Sequence, residues 1–163
     1  MAFPDSIQWT DMEVADTLRA ASGWLDLGLP DEALLELQCL AEEEQVTSVV
    51  LEMKVIIQME CRSWNAASET ARVLCTREPL NAEYFLQAAF CLHETGDTLA
   101  ARNWLLRGPK ALLEMPTFHY NIGCYLWVLG EHASARTHLK RAFRMDRSLE
   151  AFARSDRDLA GFQ

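Results

Sequence analysis

Five cysteines and four histidines are the residues of this 163-residue chain that could carry nucleophilic or metal chemistry. Cys39, Cys61, Cys75, Cys91 and Cys124 follow one another at intervals of 22, 14, 16 and 33 residues. No Cys-x-x-Cys pair occurs, so neither a dithiol redox motif nor a zinc ribbon is expected. The count is odd and the neighbours are apolar, as in Phe90-Cys91-Leu92, which reads as buried thiols in a reducing compartment. The histidines are His93, His119, His132 and His138. Cys91-x-His93 lacks the further ligands that a metal site needs. Cys124 and His93 could meet between neighbouring helices as a nucleophile and base, although no third residue orients the histidine. A Gly-rich phosphate loop, a Gly-x-Ser-x-Gly elbow and a His-Glu-x-x-His pair are all missing. No catalytic residue, metal ligand or cofactor is therefore expected.

The elements that would position these side chains are helices. Thr10-Asp11-Met12-Glu13 reads as a capping box. Ala15 to Leu27 then places Thr17, Ala20, Ala21 and Trp24 on one face. Pro30-Asp31-Glu32 opens a second helix with acids at its positive end, and Glu42-Glu43-Glu44 reads as that helix's solvated end. Further helices are expected over 49–60, 65–75, 81–94, 98–107, 117–129, 133–145 and 148–154. Gly108-Pro109 should break one of them, with one more turn over 110–114. No alternating β-branched run competes, so the expected class is all-α.

These helices repeat. Gly28, Gly96 and Gly130 each close an apolar helical run, and their separations are 68 and 34 residues. The missing member of the series falls on Arg62, inside another turn-like stretch. Alanine stands five residues after each position, at Ala33, Ala67, Ala101 and Ala135. A small residue in that phase suits two helices of a hairpin that cross closely.

A 34-residue helix–turn–helix unit of this kind resembles the tetratricopeptide repeat. The resemblance spans four units, 14–47, 48–81, 82–115 and 116–149, within one expected domain over 1–163. Residues 1–10 are read as an N-terminal extension, and 148–163 as a capping helix and tail. Ala21, Val55, Ala89 and Gly123 match the small first-helix position. Trp24, Leu92 and Leu126 match its large apolar neighbour, and Leu37, Leu105 and Leu139 match the second-helix core position. Leu40, Leu74 and Gly108 depart from a small residue that only Ala142 supplies, and the closing proline appears only as Pro79. Strict phase puts Lys54 and Gln58 in the second unit's core, whereas a one-residue shift would bring Val50, Met53 and Ile57 inward. Leu149, Phe152, Leu159 and Phe162 resemble the cap that covers the last apolar face.

The resemblance implies a right-handed superhelix of antiparallel hairpins, with the first helices lining a concave, peptide-binding surface. The lining positions hold Leu18, Ser22, Leu25 and Asp26 in the first unit, and Glu52, Ile56, Met59 and Glu60 in the second. They hold Glu83, Leu86, Phe90, His93 and Glu94 in the third, and Tyr120, Cys124, Trp127 and Val128 in the fourth. Such an apolar and aromatic lining with acidic edges suits a protein or peptide partner that is apolar with basic flanks. The chain's own last helix or Phe3 to Trp9 could cover part of it instead. Some family members grip a C-terminal carboxylate with a basic clamp. The matching sites here, Leu18, Ser22, Glu52, Leu86 and Phe90, supply no base. A non-catalytic binding module is the leading expectation. A chaperone of a secreted translocator-type protein, a self-assembling scaffold and a thiol enzyme are the alternatives.

Composition narrows the partners. Half the residues are apolar, a quarter are charged, and the net charge is −9. That argues against nucleic acid, which calls for a basic stripe. No apolar run reaches the roughly 20 residues of a membrane helix. Met1 to Asp5 has neither a basic nor an apolar region, so no signal peptide is expected and the cytoplasm is the expected compartment. Residues 1–60 carry thirteen acids and two bases, against eleven acids and thirteen bases in 61–163. A basic partner is thus expected at the N-terminal half, and salt-sensitive self-association is conceivable along the gradient.

Overall fold

The structure, a computed structural model, describes residues 6–162, with side chains from Met12 onward. Residues 1–5 and the side chains of 6–11 lie outside the described residues, and with them the alternative of a cover from Phe3 to Trp9. Among the described residues the chain is all-α: α1 Ser6–Asp26, α2 Pro30–Gln38, α3 Glu42–Gln45, α4 Ser48–Glu60, α5 Trp64–Arg77, α6 Ala82–Glu94, α7 Thr98–Leu105, α8 Pro116–Val128, α9 His132–Met145 and α10 Ser148–Ala153. Short 3-10 turns follow at Lys110–Glu114 and Arg157–Leu159. Two expectations change at the helix ends. Helix α1 spans Ser6–Asp26, so Thr10 to Glu13 are interior to it rather than a cap, and residues 6–10 are helical. The three glutamates form the separate helix α3, where the Glu44 carboxylate accepts from the Ala41 N–H at 3.0 Å.

The 34-residue phase is a series of identical turns. Gly28, Gly96 and Gly130 have φ of 71°, 93° and 81°, and Arg62 takes the same left-handed conformation at 54°. In each, the turn residue's N–H donates three residues back and its successor's N–H donates five back. The pairs are Gly28 to Leu25 and Leu29 to Trp24, Arg62 to Met59 and Ser63 to Gln58, Gly96 to His93 and Asp97 to Leu92, and Gly130 to Trp127 and Glu131 to Leu126. The second helix starts at once, the N–H groups of Ala33, Ala67, Ala101 and Ala135 donating to the residue just after the turn residue. All four alanines are fully buried.

Contacts divide the chain into two compact units, Met1–Leu74 and Cys75–Gln163. In the first, α1 and α2 form a hairpin and α4 packs on both. Ala21, Ala33, Leu37, Leu40, Val50 and Ile57 make its core, with Leu18, Trp24, Leu25 and Met53 packed against it. The Trp24 indole N–H donates to Glu36 at 3.0 Å, tying the hairpin. Val50 and Ile57 point inward, as the shifted register requires. Gln58 is buried too and lines a cavity of about 120 Å³ with Gln38, Gln45 and Lys54. In the second unit α6 pairs with α7, α8 with α9, and α8 also meets α6 and α7. The α8–α9 crossing is close: a Cβ on Gly123 would stand 2.6 Å from Leu139 Cγ.

A histidine pair joins α8 to α9. The Nδ1 atoms of His119 and His138 are 3.2 Å apart. His119 Nε2–H donates to the Leu113 carbonyl at 3.0 Å, so its Nδ1 must accept from His138. Burial, with Arg141 close by, holds both rings below the usual histidine range.

Two outcomes follow. Arg62→Gly removes a left-handed non-glycine residue and should stabilise the chain by about 0.5–1 kcal/mol, after the added chain entropy of glycine, read as a higher melting midpoint. The histidines must stay neutral, so their contribution is complete above about pH 6.5 and is lost as the pH falls below it. Melting midpoints taken between about pH 7 and 5 should fall, and His138→Gln should flatten that fall.

Candidate functional site

The first helices carry the side chains expected to line a binding surface, and the two units treat them differently. In the first unit Ser22 and Asp26 on α1 and Ile56 and Glu60 on α4 are exposed, Ile56 at 42%. Leu18, Leu25, Glu52 and Met59 are half-buried there, Leu18 and Leu25 against the core. On α4, Glu52 and Glu60 stand one helical turn before and after Ile56.

In the second unit the expected lining is covered. Leu86, His93, Tyr120 and Cys124 are each less than a tenth exposed, and Phe90, Glu94 and Trp127 are half-buried, while Glu83 and Val128 remain exposed. The cover is the segment after α10. Asp156 places one carboxylate oxygen 2.5 Å from the Tyr120 hydroxyl, which donates to it, and 3.8 Å from the Cys124 thiol. Its other oxygen accepts the Asp158 N–H at 2.9 Å and fixes the 3-10 turn. Asp158 in turn lies 2.8 Å from His93 Nε2, which donates to it. Thr98 meets the other ring nitrogen at 2.9 Å, so the imidazole is held from both sides. Arg157 reaches back to Glu94 at 2.5 Å, and the Trp127 indole N–H donates to the Ala160 carbonyl at 3.2 Å. Leu159 is buried, and Phe162 meets Trp127 edge-on at 5.2 Å. Arg136 lies over both rings, at 5.2 Å and 5.4 Å.

Over the third and fourth units the expected groove positions are occupied, by the chain's own C-terminal segment, the kind of cover that the sequence left open as an alternative. Leu159 and Phe162 cap the face as the sequence suggests, but Phe152 is 60% exposed. The occupant's polar anchors, Asp156 and Asp158, were not anticipated. Their partners lie 36 and 65 residues away, beyond the reach of any local pattern. The occupant is acidic, and the face it covers presents three hydrogen-bond donors, His93, Tyr120 and Trp127.

The same geometry disfavours Cys124 as a nucleophile activated by His93. Burial and the carboxylates of Asp156 and Asp158 push the Cys124 thiol well above its ordinary range, opposite to what a nucleophile needs. The His93 Nε2 is engaged by Asp158. Cys91 is pushed up to about 11, chiefly by burial. Among the described residues no three metal-ligating side chains converge, and no helix is long and apolar enough to cross a membrane.

No family model matches the chain, and no curated protein matches it in sequence. Solved structures do match in shape. MamA of MSR-1 superposes with a TM-score of 0.72 at 16% identity, over 83% of this chain and 78% of that one. A MamA double mutant of RS-1 gives 0.74 at 12% identity, over 88% and 78%. PilF of Pseudomonas aeruginosa gives 0.74 at 18% identity, over 90% and 67%. These are tetratricopeptide-repeat structures, and the fold of this chain is of that type.

Thiol labelling under native conditions checks the burial pattern. Exposed Cys39 should react first, while Cys75, Cys91 and Cys124 stay protected until denaturant is added. Fast native labelling of Cys124 would show that the covering segment leaves it open.

Proposed function

We propose that this tetratricopeptide-like chain is a non-catalytic protein–protein interaction module that takes an apolar segment of a partner on the inner face of its first two hairpins. The observation that carries this reading is the exposed Ile56 on α4, with Asp26 and Glu60 exposed on the same two first helices. An exposed apolar side chain beside half-buried Met59 gives a partner segment an anchor, and acids around it favour a segment flanked by lysine or arginine. The charge distribution supports this, because thirteen of the twenty-four acids lie within residues 1–60. Steering by such charge speeds encounter and weakens with salt. The fold likeness to MamA and PilF supports the general role of a helical-repeat scaffold.

Fluorescence anisotropy with labelled amphipathic peptides tests the proposal. A lysine-flanked peptide should bind the chain more tightly than its glutamate-flanked analogue, with a preference that shrinks as salt rises. Ile56→Glu should weaken binding by about tenfold or more, while the melting midpoint barely moves because the position is exposed. Equal binding of both peptides, or indifference to Ile56→Glu, would overturn the reading.

A further inference from the structure

The covered face of the second unit has the chemistry of a ligand site rather than of a buried core. Among the described residues after α9 only Ala153 and Leu159 are buried. The segment is otherwise held by side-chain hydrogen bonds, an exposed arginine on Glu94, and edge contacts of Phe162 with Trp127 and Phe143 and of Phe152 with Tyr120. Such a segment, with two buried side chains and ties that are mostly polar or at ring edges, is of the kind that opens more readily than a helical core. The face beneath it is built in advance. Thr98 orients His93, and Tyr120 and His93 stand buried on two different helices. Their donors cannot be left bare, since a buried unpaired N–H or O–H is costly. Any occupant must therefore bring acceptors to the same two places.

We propose that the inner face of α6 and α8 is a docking site for an acidic peptide of a partner protein, and that Asp156–Phe162 is the chain's own occupant of it. The recognised pattern is two carboxylates two residues apart, an apolar residue directly after the second, and an aromatic residue three further on. The first carboxylate meets Tyr120, the second meets His93, and the aromatic residue meets Trp127 and Arg136. The resident segment competes as a tethered ligand, so the partner must overcome a high local concentration, of millimolar order for short tethers. The site lies within the second unit, and Ile56→Glu leaves it unchanged, so failure at one face says nothing about the other.

The full-length chain tests this with a fluorescein-labelled peptide spanning Ser155 to Phe162. Asp156→Asn with Asp158→Asn in the chain loosens the resident segment, as does Phe162→Ala from its other end. Each variant should bind the peptide at least about tenfold more tightly than the unmodified chain does. A peptide carrying both asparagines should not bind, and adding Tyr120→Phe to the loosened chain should weaken binding by about fivefold or more. Circular dichroism and sedimentation accompany the titration. The proposal is overturned if the loosened chains stay helical and bind no better than the unmodified one. It is equally overturned if both loosened chains lose cooperative melting, which would make the segment core. A dimer held by exchanged segments would overturn it in favour of a second copy as occupant.

Discussion

Everything in this fold depends on one backbone event, a residue forced into the left-handed region at the end of each first helix. That conformation turns the chain back on itself, satisfies the last carbonyls and starts the next helix within a few residues. It leaves the two helices of a hairpin so close that only a small side chain fits five residues later. The buried alanines at 33, 67, 101 and 135 answer this demand. At the last crossing Gly123 answers it from the other helix, pressed against Leu139. Where glycine is replaced by Arg62 the turn still forms, with the same hydrogen bonds, because packing on either side over-determines it.

Closely paired hairpins expose the inner surfaces of their first helices. Among the described residues the first unit leaves Ser22, Asp26, Ile56 and Glu60 exposed there. The second unit equips it with donors and covers it with the chain's own carboxylates. On the proposed reading, one architecture presents two faces of opposite preference. The Cys124 thiol illustrates the point, since the groups that surround it suppress the thiolate and reward hydrogen bonding.

The sequence made the periodic features readable. Gly28, Gly96 and Gly130 with their alanines set the hairpins and pointed to Arg62 as the missing turn, and Leu37, Leu105 and Leu139 lie in the cores where the pattern placed them. Local rules erred at helix starts. Thr10 to Glu13 has the residues of a cap, but the chain before it continues the helix back to Ser6. The covered face was legible only in part. Tyr120, Cys124, Trp127, His93 and Glu94 come together on the inner face, as their repeat positions imply. Yet repeat position says nothing about what lies on top of them. Asp156 and Asp158 belong to no repeat, and their meaning arises only from contact with distant helices. Gln58 shows the two registers of the second unit meeting: strict phase places it in the core, where it is buried, while Val50 and Ile57 of the shifted register are buried as well.

The sequence separation of the bonds also orders them in time. Hairpin contacts close short loops and form early, each from its own stretch of about thirty residues. The bond from Asp158 to His93 closes a loop of sixty-five residues. Loop-closure entropy grows with that span, so this bond is the late one. Until Asp156 to Phe162 arrive, Tyr120, Trp127 and Cys124 stand uncovered on hairpins that are already folded. On that order, a refolding chain is expected to complete the helices of the second unit before its inner face is occupied.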